Sequence, residues 1–197
     1  MTQDSETIQV YDARAQEYAA VTQNHIETPL LQAFICALPA RACVLDLGCG
    51  PGLFAQAMQK AGLIVEATDA SAEMVALANQ LPGVTARQES FSELTAQSTY
   101  DGVWANFSLL HAPRSEMPSH LSRIHSALKP GGQFHMTVKT GQGDSRDRLG
   151  RFYTYYQPAE IRTLLETAGF TVMKISPGRD KGLDGSLSDW ISVASHA

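Results

Sequence analysis

The sequence is poor in charge and in cysteine. Only 18% of its 197 residues are charged while 44% are hydrophobic, which is typical of a folded chain rather than a disordered one. The three cysteines, Cys36, Cys43 and Cys49, are odd in number and show no C-x-x-C spacing. They therefore favour neither a disulfide framework nor a zinc site. Reduced thiols are typical of a cytoplasmic protein.

Long apolar runs and an excess of basic residues are also absent. No uninterrupted apolar run approaches the ~20 residues that cross a bilayer. The segment Met1–Val10 is polar and acidic, unlike a signal peptide. The net charge of −5 argues against binding nucleic acid by bulk charge. We therefore expect a soluble cytoplasmic protein with no membrane or nucleic-acid partner, whose oligomeric state the sequence leaves open.

Short apolar runs alternate with amphipathic stretches. This alternation predicts an α/β fold, a Rossmann-like seven-stranded mostly parallel sheet with helices on both faces. No helix separates the last two strands, so we expect an antiparallel last strand at one edge. The predicted strands are 43–47, 63–68, 84–87, 100–106, 133–139, 170–175 and 190–195, and the predicted helices are 53–61, 72–80, 113–128 and one starting at Pro158.

The predicted domain spans residues 41–197, and residues 1–40 are expected to form a helical cover that belongs to it. Within that cover, Ser5–Tyr18 and Glu27–Leu38 have helical character. Two stretches, Thr140–Tyr156 and Arg179–Asp189, show no clear period and are predicted to be loops.

The strongest chemical signal is a glycine-rich turn between a strand and a helix. It reads D-x-G-x-G-x-G, from Asp46 through Gly48 and Gly50 to Gly52. Glycines allow a sharp turn and a close ligand approach, and the helix start offers unpaired N–H groups. Asp69 ends the next strand, 19 residues beyond Gly50. A carboxylate there is placed to accept hydrogen bonds from a ribose diol. Its alternative is a simple N-terminal cap for the next helix.

Two better-known nucleotide motifs do not match this turn. A dinucleotide fold requires G-x-G-x-x-G, but the sixth position here is Leu53. A P-loop requires a lysine after its glycines, and none follows. The pattern favours a ligand with an amino-acid end and an adenosine end. An NAD(P)-dependent oxidoreductase-like domain and a non-catalytic cofactor-binding protein are the alternatives.

Four segments in order carry a family resemblance: Asp46–Gly52, Thr68–Met74, Tyr100-Asp101 and Leu128–Gly132. With them, nearly the whole chain resembles the class I S-adenosylmethionine-dependent methyltransferases. More narrowly, residues 108–113 and 147–155 resemble a small bacterial subgroup that is described as tellurite-resistance-like.

The resemblance implies S-adenosylmethionine as cofactor, S-adenosylhomocysteine as product, and no metal. It places these residues around the cofactor: Asp46, Gly48, Gly50, Gly52, Asp69, Ala70, Met74, Glu89, Ser90, Phe91, Ala105 and Asn106. Tyr11 and Tyr18 lie seven residues apart and share a helix face. They either close over the cofactor or anchor their helix to the core.

The substrate side is expected after the fourth and fifth strands. His111 is a candidate general base, because an unperturbed imidazole titrates near neutrality. Its alternative is a histidine held by a backbone partner at a helix entry. Four basic residues could form a lid that selects an anionic small molecule: Lys139, Arg146, Arg148 and Arg151, with Arg151 contacting the substrate. Alternatively, the basic loop pairs internally with its own aspartates. The predicted acceptor is a small molecule, either anionic or a soft nucleophile.

Overall fold

The computed structural model describes residues 4–22 and 28–197. Seven strands form the main sheet: β1 Cys43–Leu47, β2 Ile64–Asp69, β3 Ala86–Gln88, β4 Tyr100–Asn106, β5 Leu128–Lys139, β8 Thr171–Lys181 and β9 Leu187–His196. Two short strands, β6 Asp144–Arg146 and β7 Phe152–Thr154, form a separate antiparallel ribbon. The described helices are α1 Ser5–Ala13, α2 Ala15–Thr22, α3 Pro29–Cys36, α4 Leu53–Lys60, α5 Ala72–Ala78, α6 Met117–Ala127 and α7 Pro158–Thr167.

The strand order of the main sheet is β3-β2-β1-β4-β5-β9-β8. Strands β1 to β5 pair in parallel. Strand β9 runs antiparallel between β5 and β8. The predicted Rossmann-like α/β class is confirmed, including the single antiparallel strand. In such a sheet the order reverses beside β1, which is where ligands bind, beyond the carboxyl ends of the strands.

Alternate residues of the central strands face opposite layers of helices. Leu45 and Val103 pack with α6 and α7, whereas Val44 and Trp104 pack with α3 and α4. This follows from the two-residue period of a strand. Both faces are apolar, so the strands appear in the sequence as continuous apolar runs rather than as alternating ones.

Three predicted boundaries are wrong, each for a local reason. The predicted loop Thr140–Tyr156 contains the β6–β7 ribbon. The predicted loop Arg179–Asp189 is largely strand, because β8 and β9 remain paired as far as Lys181 and Leu187. These strands extend beyond the helical layers and carry exposed polar side chains, so they lack an apolar signal. The predicted helix Ser5–Tyr18 is two helices, since Arg14 leaves the helical conformation at φ −124°.

Gly52 provides a stability test of the turn. Gly52 and Gly62 flank α4, and both have positive φ, +81° and +90°. A Cβ at Gly52 would lie 2.7 Å from the Cβ of Ala78, whereas a Cβ at Gly62 meets nothing within 4 Å. We predict that Gly62→Ala lowers the free energy of unfolding by about 1–2 kcal/mol through the backbone alone. Gly52→Ala adds a packing penalty of about 1–3 kcal/mol. Urea unfolding measures both, and equal losses would contradict this packing account.

Candidate ligand cavity at the carboxyl edge of the sheet

A cavity of about 270 Å³ lies beyond the carboxyl ends of the central strands, and residues of α1 and α2 form one of its walls. Twelve of the residues predicted for the site line it: Tyr11, Tyr18, Asp46, Gly48, Gly50, Asp69, Ala70, Met74, Phe91, Asn106, His111 and Arg151. The fold thus brings the glycine turn, the end of β2, the end of β4 and the N-terminal cover to one place.

Four predicted residues lie outside the cavity wall. Gly52 begins α4 and faces α5. Glu89 forms an ion pair with Arg87 at 2.7 Å. Ser90 caps a short 3-10 turn, and Ala105 is fully buried within β4. Their contacts are with the protein itself, so any effect of these residues on a ligand would pass through neighbouring groups.

The carboxylate of Asp69 holds the glycine turn and the next helix start together. Its Oδ2 accepts a hydrogen bond from the backbone N–H of Gly50 at 2.8 Å, and its Oδ1 accepts one from that of Ser71 at 2.9 Å. Gly48 has φ +76°, and a Cβ there would lie 2.3 Å from the Cβ of Ser108. The backbone in this turn is therefore fixed by glycine and by one carboxylate.

A second carboxylate, that of Asp46, is buried beside the first. Asp46 is 2% exposed. Its Oδ2 has no hydrogen-bond partner among residues 4–22 and 28–197. Burial, reinforced by the charge of Asp69, raises the pKa of Asp46 to about 8. Burial also raises the pKa of Asp69. This end of the cavity holds two acids that repel each other, and it is therefore suited to a cation.

His111 is held between the cover and the ribbon. Its Nδ1 lies 2.6 Å from the carbonyl oxygen of Phe152, and its Nε2 lies 2.8 Å from the Tyr11 hydroxyl. Because a carbonyl only accepts, Nδ1 carries the proton and Nε2 accepts from Tyr11. Burial, with Arg151 nearby, lowers the pKa of His111 to about 3. The imidazole is neutral at neutral pH, with both nitrogens engaged.

Arg151 is buried and already paired. It is 2% exposed, and its Nε and Nη2 donate to Oδ2 of Asp147 at 2.9 and 2.6 Å. Its Nη1 donates to the Tyr11 hydroxyl at 3.1 Å. Arg148 is exposed and lies outside the cavity wall. The arrangement of Arg151 matches the alternative of internal pairing, although the pair is buried rather than solvated.

The N-terminal helix is tied to the body at both ends of the cavity. Thr7 accepts a hydrogen bond at its Oγ1 from the backbone N–H of Phe152 at 2.8 Å. Asp12 accepts one at Oδ1 from the Ser71 hydroxyl at 2.5 Å. Because Ser71 begins α5, α1 connects the start of that helix with the β6–β7 ribbon.

Three further aromatic residues, Phe107, Tyr153 and Trp190, belong to the cavity wall. Phe107 has φ +54°, a conformation that is uncommon for an aromatic residue and recurs at functional sites. Its ring packs edge-on against Trp190 at 5.8 Å between centroids. Tyr153 approaches His111 with centroids 4.7 Å apart. Trp190 was not predicted to belong to the site, because it lies far along the chain from the predicted site residues and no motif marks it.

A family model described as a methyltransferase domain matches residues 13–175. The chain belongs to the class I S-adenosylmethionine-dependent methyltransferases. The match covers the glycine turn, Asp69 and all five parallel strands.

Curated relatives agree with this family. The chain is 31% identical over 120 residues to a malonyl-[acyl-carrier protein] O-methyltransferase of Erwinia billingiae, covering 60% of this chain and 45% of that protein. It is 34% identical over 162 residues to a ubiquinone biosynthesis O-methyltransferase of Xanthomonas campestris pv. campestris, covering 71% and 66%. The chain thus matches about half to two thirds of the length of these relatives.

Solved structures share the fold. One is the Burkholderia thailandensis 1,6-didemethyltoxoflavin-N1-methyltransferase with bound 1,6-didemethyltoxoflavin and S-adenosylhomocysteine. Its TM-score is 0.72 at 22% identity, covering 100% of this chain and 91% of that one. A complex of DhpI with S-adenosylhomocysteine gives a TM-score of 0.71 at 24% identity, covering 97% and 95%.

The cavity chemistry fits the ligand that this family uses. S-adenosylmethionine carries a sulfonium and an ammonium group, and the glycine end of the cavity offers two carboxyl groups that form no ion pair with any of residues 4–22 and 28–197. The unpartnered Oδ2 of Asp46 is suited to accept from an ammonium group. Asp69 keeps lone pairs for the ribose hydroxyls after accepting from Gly50 and Ser71.

Two further features concern metals and membranes. In residues 4–22 and 28–197, no group of three or more His, Cys, Asp or Glu side chains is arranged to hold a metal ion. None of the helices in the described part of the chain combines the length and the apolar character that a membrane span requires.

The protonation state of His111 is directly measurable. We predict that nitrogen–proton correlation NMR shows a neutral imidazole with its proton on Nδ1 from pH 8 down to pH 5, because its pKa is lowered to about 3. The unfolded chain binds a proton near pH 6.5, so the group contributes stability above that pH, and this contribution is lost as pH falls towards 3. In His111→Gln, the decline of unfolding free energy between pH 6.5 and 4.5 becomes shallower. An imidazolium signal at pH 6 would refute the assignment.

Proposed function

We propose that the protein transfers a methyl group from S-adenosylmethionine to a small molecule that is already nucleophilic when it binds, either an anion or a soft atom such as a thiolate. The acceptor class is inferred from the protonation and hydrogen bonding of His111. This imidazole lies in the cavity wall, but it is neutral, and its one free lone pair accepts from Tyr11. An acceptor in this cavity therefore gains most from being ionised beforehand.

The chemistry requires little of the protein beyond alignment. When bound, S-adenosylmethionine supplies a methyl group on a sulfonium: an acceptor lone pair forms the new bond to the methyl carbon while the carbon–sulfur bond breaks, and its electron pair stays on sulfur. Asp69 holds the ribose, and Asp46 receives the ammonium group. Tyr11 and Tyr18, packed edge-on with centroids 5.3 Å apart, exclude water. Orientation of this kind supplies much of the rate enhancement of a displacement reaction.

The relatives and the net charge support a small acceptor. The similar proteins are named as O-methyltransferases and, in one structure, as an N1-methyltransferase with its heterocycle bound. The net charge of −5 disfavours a nucleic-acid acceptor. Membership of the tellurite-resistance-like subgroup and a cytoplasmic location remain predictions.

Two other functions are distinguishable from this one. An NAD(P)-binding protein would be stabilised by NAD(P), and the turn from Gly48 to Leu53 lacks the glycine that a pyrophosphate requires. A non-catalytic cofactor-binding protein would bind S-adenosylhomocysteine without turnover. A labelled-methyl assay over thiols, oxyanions and small acids separates catalysis from binding.

Binding of the product tests the cofactor assignment. We predict that S-adenosylhomocysteine at 100 times its Kd stabilises the fold by about 2.7 kcal/mol, which raises the Tm by roughly 5–10 °C for a chain of this size. Asp69→Ala should abolish the shift, because it removes the ribose acceptor and releases Gly50. Asp189→Ala, which removes an exposed partner of Arg179, is the matched control and should keep the shift. No shift in the wild type at millimolar ligand would overturn the proposal.

Turnover tests the acceptor class. We expect methyl transfer to thiols and oxyanions to rise with pH as each acceptor ionises, and His111→Gln to leave that pH profile in place. If turnover required neutral acceptors and vanished in His111→Gln, the proposed acceptor class would be wrong.

A further inference from the structure

We propose that Lys139 binds a carboxylate of the methyl acceptor, so that the substrate is a small carboxylic acid with a flat apolar body. This inference rests on the proposed function and names the acceptor class for the same cavity. It assigns the anionic contact to Lys139 in place of Arg151.

Lys139 lies at the substrate end of the cavity. It is the last residue of β5 and pairs in register with Trp190 of β9. The neighbouring strand β4 ends at Asn106, which lines the same cavity, as does Asp69 on the far side of β1. A molecule held by Lys139 therefore shares one space with a ligand held at the glycine turn.

The side chain of Lys139 is mostly buried, and its ammonium group has no anionic partner among residues 4–22 and 28–197. The residue is 8% exposed, and its Nζ stands 3.8 Å from the centroid of the Tyr153 ring. Within residues 4–22 and 28–197, Nζ makes no hydrogen bond or ion pair, although an ammonium has three donors. A ring face offsets part of the cost of burying a charge. Lys139 lines the cavity, so its unused donors are available to an oxygen acceptor of a bound ligand.

The nearby carboxylates are engaged elsewhere. Asp147 is taken by Arg151 at 2.6 Å. Asp184 accepts from the backbone N–H and the hydroxyl of Ser186 at 3.1 and 2.7 Å. Asp180 accepts from the indole N–H of Trp190 at 2.9 Å. None of these three carboxylates contacts the Lys139 ammonium directly. A bound anion therefore supplies the negative partner that the ammonium lacks in the described residues.

Binding a substrate carboxylate would cost more free energy at Arg151 than at Lys139. Its guanidinium already donates to Asp147 and to the Tyr11 hydroxyl. Binding a substrate would take the cationic partner from Asp147, whose side chain is 7% exposed, and leave it only the backbone N–H groups of Leu149 and Arg151. Lys139, in contrast, has no ion pair within the described residues that must break before it binds a carboxylate.

The walls beside Lys139 define the rest of the substrate. Tyr153 lies under the ammonium, and Trp190 and Phe107 form an edge-to-face pair in the same cavity. Aromatic walls favour a flat apolar body, which stacks on them or meets their edges.

Carboxylates and their neutral amides provide the test. The probes are benzoate, hexanoate, benzamide and hexanamide, titrated calorimetrically into protein saturated with S-adenosylhomocysteine. We expect at least one acid to bind about tenfold or more tightly than its amide, as for a hydrogen bond to a charged group. Lys139→Met should remove this preference and Lys139→Arg should retain part of it. Lys174→Met, at an exposed lysine of β8, is the control and should match the wild type.

The outcomes separate this inference from the function that it rests on. If the wild type does not bind S-adenosylhomocysteine, the proposed function fails. If it binds, but no acid exceeds its amide, or if Lys139→Met keeps the preference, then the role of Lys139 is overturned and the function stands. The stabilisation of Lys139→Met by S-adenosylhomocysteine confirms that the variant is folded. Lys139→Gln serves in its place if it is not.

Discussion

Within the described residues, the cavity-wall side chains of Asp46, Asp69 and Lys139 have no ion-pair partner. Asp46 and Asp69 stand together at the glycine end of the cavity, where burial and mutual repulsion raise the pKa of Asp46 to about 8. Lys139 stands at the other end with only a ring beneath it. Burying ionisable groups without oppositely charged partners destabilises a fold, so these groups are costly to the free protein and useful to a protein that binds a cation beside an anion.

The N-terminal cover is hydrogen-bonded to the groups that form the cavity wall. The Tyr11 hydroxyl donates to His111 and accepts from Arg151, so one residue of α1 joins the end of β4 to the ribbon. The same helix reaches the start of α5 through Asp12. His111 and Arg151, whose position in the cavity wall would suggest a catalytic role, instead form hydrogen bonds that attach the N-terminal helix. This explains why an arginine and a histidine in the wall of a ligand cavity have so few free donors and acceptors.

The sequence revealed what depends on local pattern. The central strands β1 and β4 are largely apolar because both faces are covered, and the position of Asp69 at the end of β2 brings its carboxylate to the glycine turn. The full length of the β8–β9 hairpin was not predicted, because its outer residues are polar and exposed. The hydrogen bonding of His111 and the lack of an ion-pair partner at Lys139 in the described residues were not predicted either. They depend on partners distant in the chain, such as Tyr11, or on partners already engaged elsewhere, such as Asp184.

The most direct test of the account is the number of protons released when S-adenosylmethionine binds. Calorimetry at pH 6.5, repeated in buffers of different ionisation enthalpy, measures that number. With a pKa of about 8, Asp46 is mostly protonated in the free protein, and a cationic ligand lowers that pKa. The account predicts release of up to about one proton per site by this linkage, and loss of the release in Asp46→Asn. Binding without proton release, or with proton uptake, would contradict it.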